Sequence, residues 1–116
     1  MDFRASHRYA HISAKKARPA ADLIRGLDVN RALDVLAVTQ TRGAALIGKV
    51  LRSAVANAGQ NEAVDVNSLI VRDARVDEGP LIHGRIRYRP GSMGRSNPIR
   101  RRTSHIKIVL SEREAS

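Results

Sequence analysis

The sequence predicts an α+β fold, with three helices packed on a small antiparallel sheet and a long β-hairpin arm protruding from the body. Residues 13–59 contain three runs in which apolar residues recur at helical spacing. Residues 69–77 and 100–110 alternate apolar and polar side chains, as strands do. Between these strands lies a basic segment whose two alternating limbs flank a turn rich in Gly and Pro. This arrangement favours a paired hairpin.

We expect the 116 residues to form a single domain. The predicted globular body comprises residues 1–80 and 103–113, and the predicted arm comprises residues 81–102. Because only three residues are aromatic, the core has to be built from Ala, Val, Leu and Ile. The same shortage argues against base recognition by aromatic side chains and favours arginine, which binds phosphate and also stacks.

The three helices have recognisable starts. Ser13, Asp28 and Thr41 are N-cap residue types that each precede an apolar-periodic run. Gly26 is expected to stop the first helix, while Pro19 is expected to kink it or to delay its start. The third run has the most continuous apolar stripe, formed by Ile47, Val50, Leu51, Ala54, Val55 and Ala58.

The remaining segments complete the sheet and the arm. Residues 4–11 alternate loosely and are predicted to form a strand. Residues 78–80, Glu-Gly-Pro, are expected to interrupt the strand that precedes them. Residues 82–89 alternate and form one limb of the arm, and residues 90–98 have the composition of a turn.

Most of the excess charge lies in the arm. The chain has a net charge of +10 and a pI near 11.4. Residues 81–102 contain no acidic residue and seven arginines: Arg85, Arg87, Arg89, Arg95, Arg100, Arg101 and Arg102. Such a segment indicates a polyanionic partner, because charge kept only for solubility is usually scattered and mixed in sign.

The composition gives no support for a membrane or metal protein. No apolar run approaches the ~18 residues of a membrane span, and the start has no secretory h-region. Without cysteine there is no thiolate zinc site, and His7 and His11 lack an evident third ligand. We therefore expect no metal ion, cofactor, small-molecule substrate or membrane among its partners.

Catalytic chemistry is weakly supported too. Ser104 and His105 are neighbours in a strand, so they face opposite sides and cannot form a nucleophile–base pair. We expect both to contact RNA or solvent. The carboxylates of Asp77 and Glu78 are expected to serve the turn or an ion pair.

A second basic group lies at the predicted start of the first helix. Lys15, Lys16 and Arg18 are interpreted either as a solvated face or as phosphate contacts, since a helix N-terminus suits phosphate.

Two alternatives to an RNA-binding protein stay open at this level. One is an architectural DNA-binding protein with a basic β-arm, because residues 94–98 (GRSNP) resemble the arm tip of histone-like DNA-bending proteins. The other is a nuclease-type enzyme.

Five motifs resemble the bacterial family of large-subunit ribosomal protein twenty-two. They run collinearly over nearly the whole chain and read KKARPAADLIRG (15–26), RALDVL (31–36), KVLRSAVANA (49–58), VDEGP (76–80) and RRTSHIKIVLSER (101–113). The resemblance implies a non-enzymatic structural protein of the large subunit, located in the cytoplasm, with an α+β body and a long hairpin. It also implies that the protein binds large-subunit rRNA, aids assembly and adjoins other large-subunit proteins. The hairpin is expected to line the nascent-peptide exit tunnel.

The resemblance assigns roles to particular residues. The tip expected to line the tunnel comprises Arg89, Pro90, Gly91, Ser92, Met93 and Gly94. The residues expected to bind rRNA are the seven arm arginines with Ser104, His105, Lys15, Lys16 and Arg18. The chain departs from the family pattern at the tip, which is slightly longer than usual, and at Pro19, which replaces an aliphatic residue.

Overall fold

The body is built on a three-stranded antiparallel sheet, and the helices cover one face of that sheet. The computed structural model describes residues 2–61, 63–81, 87–90, 96–99 and 102–112. Within these ranges the elements are β1 (Asp2–Ala10), α1 (Ala14–Ile24), α2 (Val29–Val38), α3 (Arg42–Gly59), a short 3₁₀ helix (Val66–Ser68), β2 (Leu69–Leu81), β3 (Arg87–Pro90), β4 (Ser96–Ile99) and β5 (Arg102–Glu112). The predicted α+β class is confirmed.

The central strand of the sheet is the last one in the chain. The strand order is β1-β5-β2, so β5 pairs on both sides. Ile108 stands opposite Ala5 of β1 and opposite Ala74 of β2. Ile106, Ile108 and Leu110 are at most 1% exposed, which confirms the face predicted from their alternation. The core therefore lies between this face and the helices.

Small residues let the helices approach the sheet and each other closely. The buried residues of α1 are Ala14, Ala17, Ala20, Ala21 and Ile24. A Cβ atom on Gly43 of α3 would lie only 3.0 Å from the carbonyl oxygen of Lys16. The contact between α1 and α3 thus requires glycine at position 43.

The predicted helix boundaries are confirmed. Ser13 Oγ accepts the Lys16 N–H at 3.4 Å, Thr41 Oγ1 accepts the Ala44 N–H at 3.2 Å, and Asp28 occupies the N-cap position of α2. Gly26 follows α1 with φ +84°, the left-handed conformation expected of a glycine stop. The expectation that Pro19 delays the helix was wrong, because α1 begins at Ala14 and contains Pro19. A proline removes only one backbone donor, and the buried alanine face holds the helix on both sides of it.

The prediction that residues 78–80 interrupt a strand was also wrong. β2 continues through them to Leu81, with a shift of register between Glu78 and Leu81. β2 is an edge strand, where proline is tolerated because an edge N–H has no ladder partner to lose. Asp77 and Glu78 therefore lie in the strand, opposite His105 and Ser104, and not in a turn.

One arginine of α1 and the arginine that follows the helix cover the outer edge of β2. Arg18 Nε donates to the Val76 carbonyl at 3.3 Å, and Arg25 Nη2 donates to the Ala74 carbonyl at 2.6 Å. Carbonyl groups two residues apart point to the same side of a strand, so both lie on the edge that faces away from β5. Covered carbonyl groups leave less of the edge open for pairing with another chain.

The arm is paired where it is described. Arg87 stands opposite Ile99, and Pro90 stands opposite Ser96, so the hairpin predicted for the two limbs is confirmed over β3 and β4. The predicted turn was too long, because Pro90 and residues 96–98 belong to these strands. Residues 91–95 lie outside the described ranges. The Cα atoms span 66 × 25 × 20 Å with a radius of gyration of 17.4 Å. A compact domain of this length has a radius of gyration of about 13 Å, so the molecule is elongated.

Gly79 is predicted to contribute to stability because no side chain fits at this position. A Cβ at this position would lie 2.6 Å from Thr103 Oγ1, and Thr103 is held in place because its hydroxyl donates to the Pro80 carbonyl. Gly79→Ala should lower the free energy of unfolding by about 1–3 kcal/mol, measured by thermal or urea unfolding. Gly48→Ala is the control. Its Cβ meets only the Arg52 guanidinium at 3.7 Å, and alanine favours a helix, so stability should hold or rise by up to about 1 kcal/mol. Equal stability of Gly79→Ala and the wild type would contradict this account.

Two adjacent buried hydroxyl groups are predicted to have opposite effects. Thr103 Oγ1 has a partner, whereas Ser104 Oγ has no hydrogen-bond partner in the described structure. Removing an unsatisfied buried hydroxyl removes a desolvation penalty, so Ser104→Ala should raise the free energy of unfolding by about 1 kcal/mol. Thr103→Val should lower it by about the same amount, because the Pro80 carbonyl loses its donor. Loss of stability in Ser104→Ala would show that the hydroxyl is satisfied.

Candidate nucleic-acid interface

The candidate site is the surface where the arm leaves the body. We call Arg8, Tyr9, Arg102 and His105 the arm-base surface. Arg102 begins β5 and stands opposite Leu81, the last residue of β2. Arg8 and Tyr9 come from the end of β1, which pairs with β5 on the other side. The four residues therefore come from two strands, β1 and β5, and β2 ends beside them at Leu81.

A β-bulge brings Arg8 and Tyr9 to the same partner. The pairing of β1 with β5 steps from His7↔Ile106 to Ala10↔Ser104, so two residues of β1 stand opposite His105. A bulge of this kind re-aims side chains and increases the local twist. The bulge changes the backbone conformation of Tyr9. Its φ of +59° is in the left-handed region, which residues other than glycine rarely adopt.

His105 holds the bulge in place. The backbone N–H of Tyr9 donates to His105 Nδ1 at 3.0 Å. The two rings meet edge to face, with centroids 4.9 Å apart and an interplanar angle of 87°. His105 is therefore a structural partner of Tyr9 as well as a surface residue.

Gly79 makes room for the His105 ring. A Cβ at position 79 would lie 3.3 Å from Cε1 and from Nε2 of His105, in addition to its clash with Thr103. The glycine of β2 thus lets the histidine of β5 lie where it meets Tyr9 of β1. Asp77 stands opposite His105 in the ladder, and no ion pair joins the two side chains. Asp77 therefore adds one carboxylate next to the arm-base surface.

The structure places three predicted contact residues differently from the rest. Ser104 is fully buried, so its hydroxyl is not on the surface and we leave it out of the proposed interface. Arg18 is exposed, but its Nε is engaged by the edge of β2. His105 is half-buried and bonded to Tyr9. Lys15 and Lys16 are exposed in the first turn of α1, shortly after β1 ends.

The arm arginines are described only in part. Arg87 and Arg89 lie in β3, paired with Ile99 and Asn97, and Arg102 is exposed at the start of β5. Arg85, Arg95, Arg100 and Arg101 lie outside the described residues, as do Gly91, Ser92, Met93 and Gly94 of the predicted tip. Pro90 lies at the end of β3.

Two arginines of the sheet already have carboxylate partners. Arg72 pairs with Asp2 at 2.7 Å, and Arg75 pairs with Asp73 at 2.6 Å. By contrast, neither Arg8 nor Arg102 has an ion pair with any carboxylate in the part of the chain that the structure describes. The uncompensated positive charge of the body therefore includes the arm base.

Sequence reasoning missed Arg8 and Tyr9. No local signal marks them, because a bulge arises from the register of two strands that are about a hundred residues apart in the chain. The pattern of residues 4–11 predicted a strand, and a strand without a bulge would have placed Arg8 alone opposite His105.

Other kinds of site are not indicated. In the described ranges, no group of three or more His, Asp or Glu side chains is arranged to hold a metal ion. None of the described helices combines the length and apolar character needed to cross a bilayer.

Comparison with known proteins gives the family. A model of the family described as ribosomal protein L22p/L17e matches residues 5–111. The large ribosomal subunit protein uL22 of Akkermansia muciniphila is 45% identical over 114 residues, which cover 98% of this chain and 99% of that protein. The region matched by the family model includes all three helices, the whole of β2, most of β1 and β5, and the residues of the arm-base surface. The chain therefore belongs to the ribosomal protein L22p/L17e family.

Proposed function

We propose that this protein holds large-subunit rRNA with its basic arm and its arm-base surface, and that the tip of the arm lines the nascent-peptide exit tunnel. Its membership of the family makes it a non-enzymatic structural component of the large ribosomal subunit, which works in the ribosome in the cytoplasm. It accordingly associates with the rRNA and the neighbouring proteins of that subunit. The contact residues and the tunnel position are what we propose.

The observation that carries the proposal is the arm itself. Seven arginines and no acidic residue lie in 81–102, and β3 and β4 pair within this segment. The segment offers few large apolar residues with which to build a core of its own. Because a two-stranded ribbon without a core is marginal in water and its charges repel one another, the arm depends on a polyanion around it.

The binding mechanism is electrostatic. Each arginine that neutralises a phosphate releases condensed counterions, so the affinity falls as salt rises. If about six of the seven arginines meet phosphate, the slope of log affinity against log salt reaches about −5 by the rule for duplexes, and less for single strands. Arginine also suits this role because its planar guanidinium can bind a phosphate with two hydrogen bonds.

The body extends the same interface. Arg102 continues the charge of the arm to its base, and Lys15 and Lys16 add two cations on the first turn of α1. The helix N-terminus there favours negative charge as well. We therefore place the anchoring contacts of the body on this side of the molecule.

The tip is proposed to face the tunnel. The β3–β4 ladder runs from Arg87↔Ile99 to Pro90↔Ser96, and the rest of the predicted tip follows Pro90 in the sequence. Small Gly and Ser residues and the unbranched Met93 let this end approach RNA or a passing peptide closely. Family resemblance supports the tunnel position.

Replacing the arm should separate binding from folding. A variant in which Asn-Gly replaces residues 84–100 should keep the far-UV circular dichroism of the body and a cooperative thermal transition, because the three helices and the three-stranded sheet stay intact. Its affinity for large-subunit rRNA should fall by at least tenfold at 150 mM salt, and its salt slope should become shallower by several units. Duplex DNA as competitor distinguishes an architectural DNA-binding protein, which it would displace from RNA. An unfolded body would contradict the division into body and arm.

A single arginine should remove a single phosphate contact. Arg102→Gln should make the salt slope shallower by about 0.7–0.9, in filter-binding or fluorescence titrations between 50 and 300 mM salt. Arg31→Gln is the matched control, because Arg31 is exposed on α2, which lies beside the opposite end of β2 through the Asp28↔Ile70 bridge. The control should leave the slope unchanged. Equal slopes for both variants would remove Arg102 from the interface.

A further inference from the structure

We propose that Tyr9 is a stacking platform for one unpaired base of the bound RNA, an inference that rests on the proposed rRNA-binding function. The first observation is its exposure. Tyr9 is 52% exposed, although the chain has only three aromatic residues with which to build a core. Phe3, by comparison, packs against the core. Because the core is poor in aromatic residues and Tyr9 still lies at the surface, we infer that its ring contacts a binding partner.

The second observation is that Tyr9 is held at a cost. A non-glycine residue at φ +59° costs about 1 kcal/mol or more, and Asn or Gly adopts this conformation more readily. The strain fixes the direction in which the ring leaves the strand. The bond from its N–H to His105 Nδ1, at 3.0 Å, keeps the bulge from relaxing. The ring is therefore positioned before any ligand arrives.

The third observation is the arrangement around the ring. His105 meets Tyr9 at 87°, so the histidine does not stack face to face with it. The Arg8 guanidinium carbon lies over the ring, 5.5 Å from its centroid. Arg8 therefore covers one face of the ring, so a base would stack on the opposite face, and the guanidinium adds positive charge close to the negatively charged nucleotide. Asp77, opposite His105, is the nearby carboxylate of β2, and it disfavours a second phosphate on that side.

The stacking partner has to be an unpaired base. A ring on a protein surface reaches the face of a base only where the RNA stack is open, as in a loop or bulge. The other large exposed apolar residues of the described chain are Leu23 and Val38, and both are aliphatic, so neither offers a ring on which a base can stack. They are therefore not equivalent candidates.

Tyrosine fluorescence tests the platform directly. The chain has no tryptophan and two tyrosines, so a Tyr88→Phe protein has Tyr9 as its only tyrosine and as the source of its tyrosine emission. Stacking on a base should quench this emission by more than half when large-subunit rRNA binds. A fully paired RNA duplex offers phosphates without an open base, and it should leave the emission nearly unchanged at saturation. Unchanged emission with rRNA at saturation would overturn the proposal.

Substitution gives an independent measurement. Tyr9→Asn removes the ring and suits the left-handed backbone, so its melting temperature should equal or exceed that of the wild type. Its affinity for large-subunit rRNA should fall by about 5- to 150-fold, the cost of one lost base stack, with an unchanged salt slope because no charge is lost. Tyr9→Phe should bind like the wild type. Val38→Asn, at a residue 77% exposed on α2, is the control and should also bind like the wild type.

The outcomes distinguish the platform from the proposed function. If Tyr9→Asn binds like the wild type while replacement of the arm abolishes binding, the platform is wrong and the proposed function stands. If replacement of the arm leaves rRNA binding unchanged, the proposed function itself fails. An unchanged slope, lower affinity and quenched emission together support the platform.

Discussion

The rest of the structure depends on the pairing of β5 with β2 and with β1. Because β5 is the central strand, its inner residues Ile106, Ile108 and Leu110 form the floor on which the helices pack. The same strand pairs with β2 as far as Arg102, opposite Leu81, and the chain between these two residues forms the arm. The ladder of the body therefore fixes the two points, Leu81 and Arg102, between which the arm segment runs. The core of the body is formed mainly by Ala, Val, Ile and Leu.

The arm-base surface follows from two irregularities in that ladder. β1 shifts register between His7 and Ala10, and β2 shifts between Glu78 and Leu81. Both shifts flank the same stretch of β5, residues 103–105. The first displays Tyr9, and the second accommodates proline and the glycine over which His105 lies. Regular pairing holds the core together, and its interruption at one end produces the exposed side chains.

Local sequence signals predicted the elements whose causes are local. The N-cap serine and threonine bond to backbone three residues away, and the stripe of α3 needs only its own periodicity. Residues 78–80 were misassigned because the tolerance of Pro80 depends on β2 being an edge strand, which the local sequence does not reveal. Ser104 shares the buried face of Ile106, although a serine is more often found on the surface, so residue type alone did not indicate its burial. Tyr9 depends on a cross-strand register that no local pattern encodes.

Some of the positive charge is engaged within the protein, and another part is proposed to contact RNA. Arg18 and Arg25 cover carbonyl groups at the edge of β2, while Arg72 and Arg75 are paired with carboxylates. These guanidinium groups already have partners in the free protein. A guanidinium that must first break such a contact adds less to the free energy of RNA binding than a free one. The formal charge of +10 therefore overstates the number of body contacts with RNA. Because residues 81–102 contain no carboxylate that could pair with their arginines, the salt dependence of binding should be set mainly by the arm.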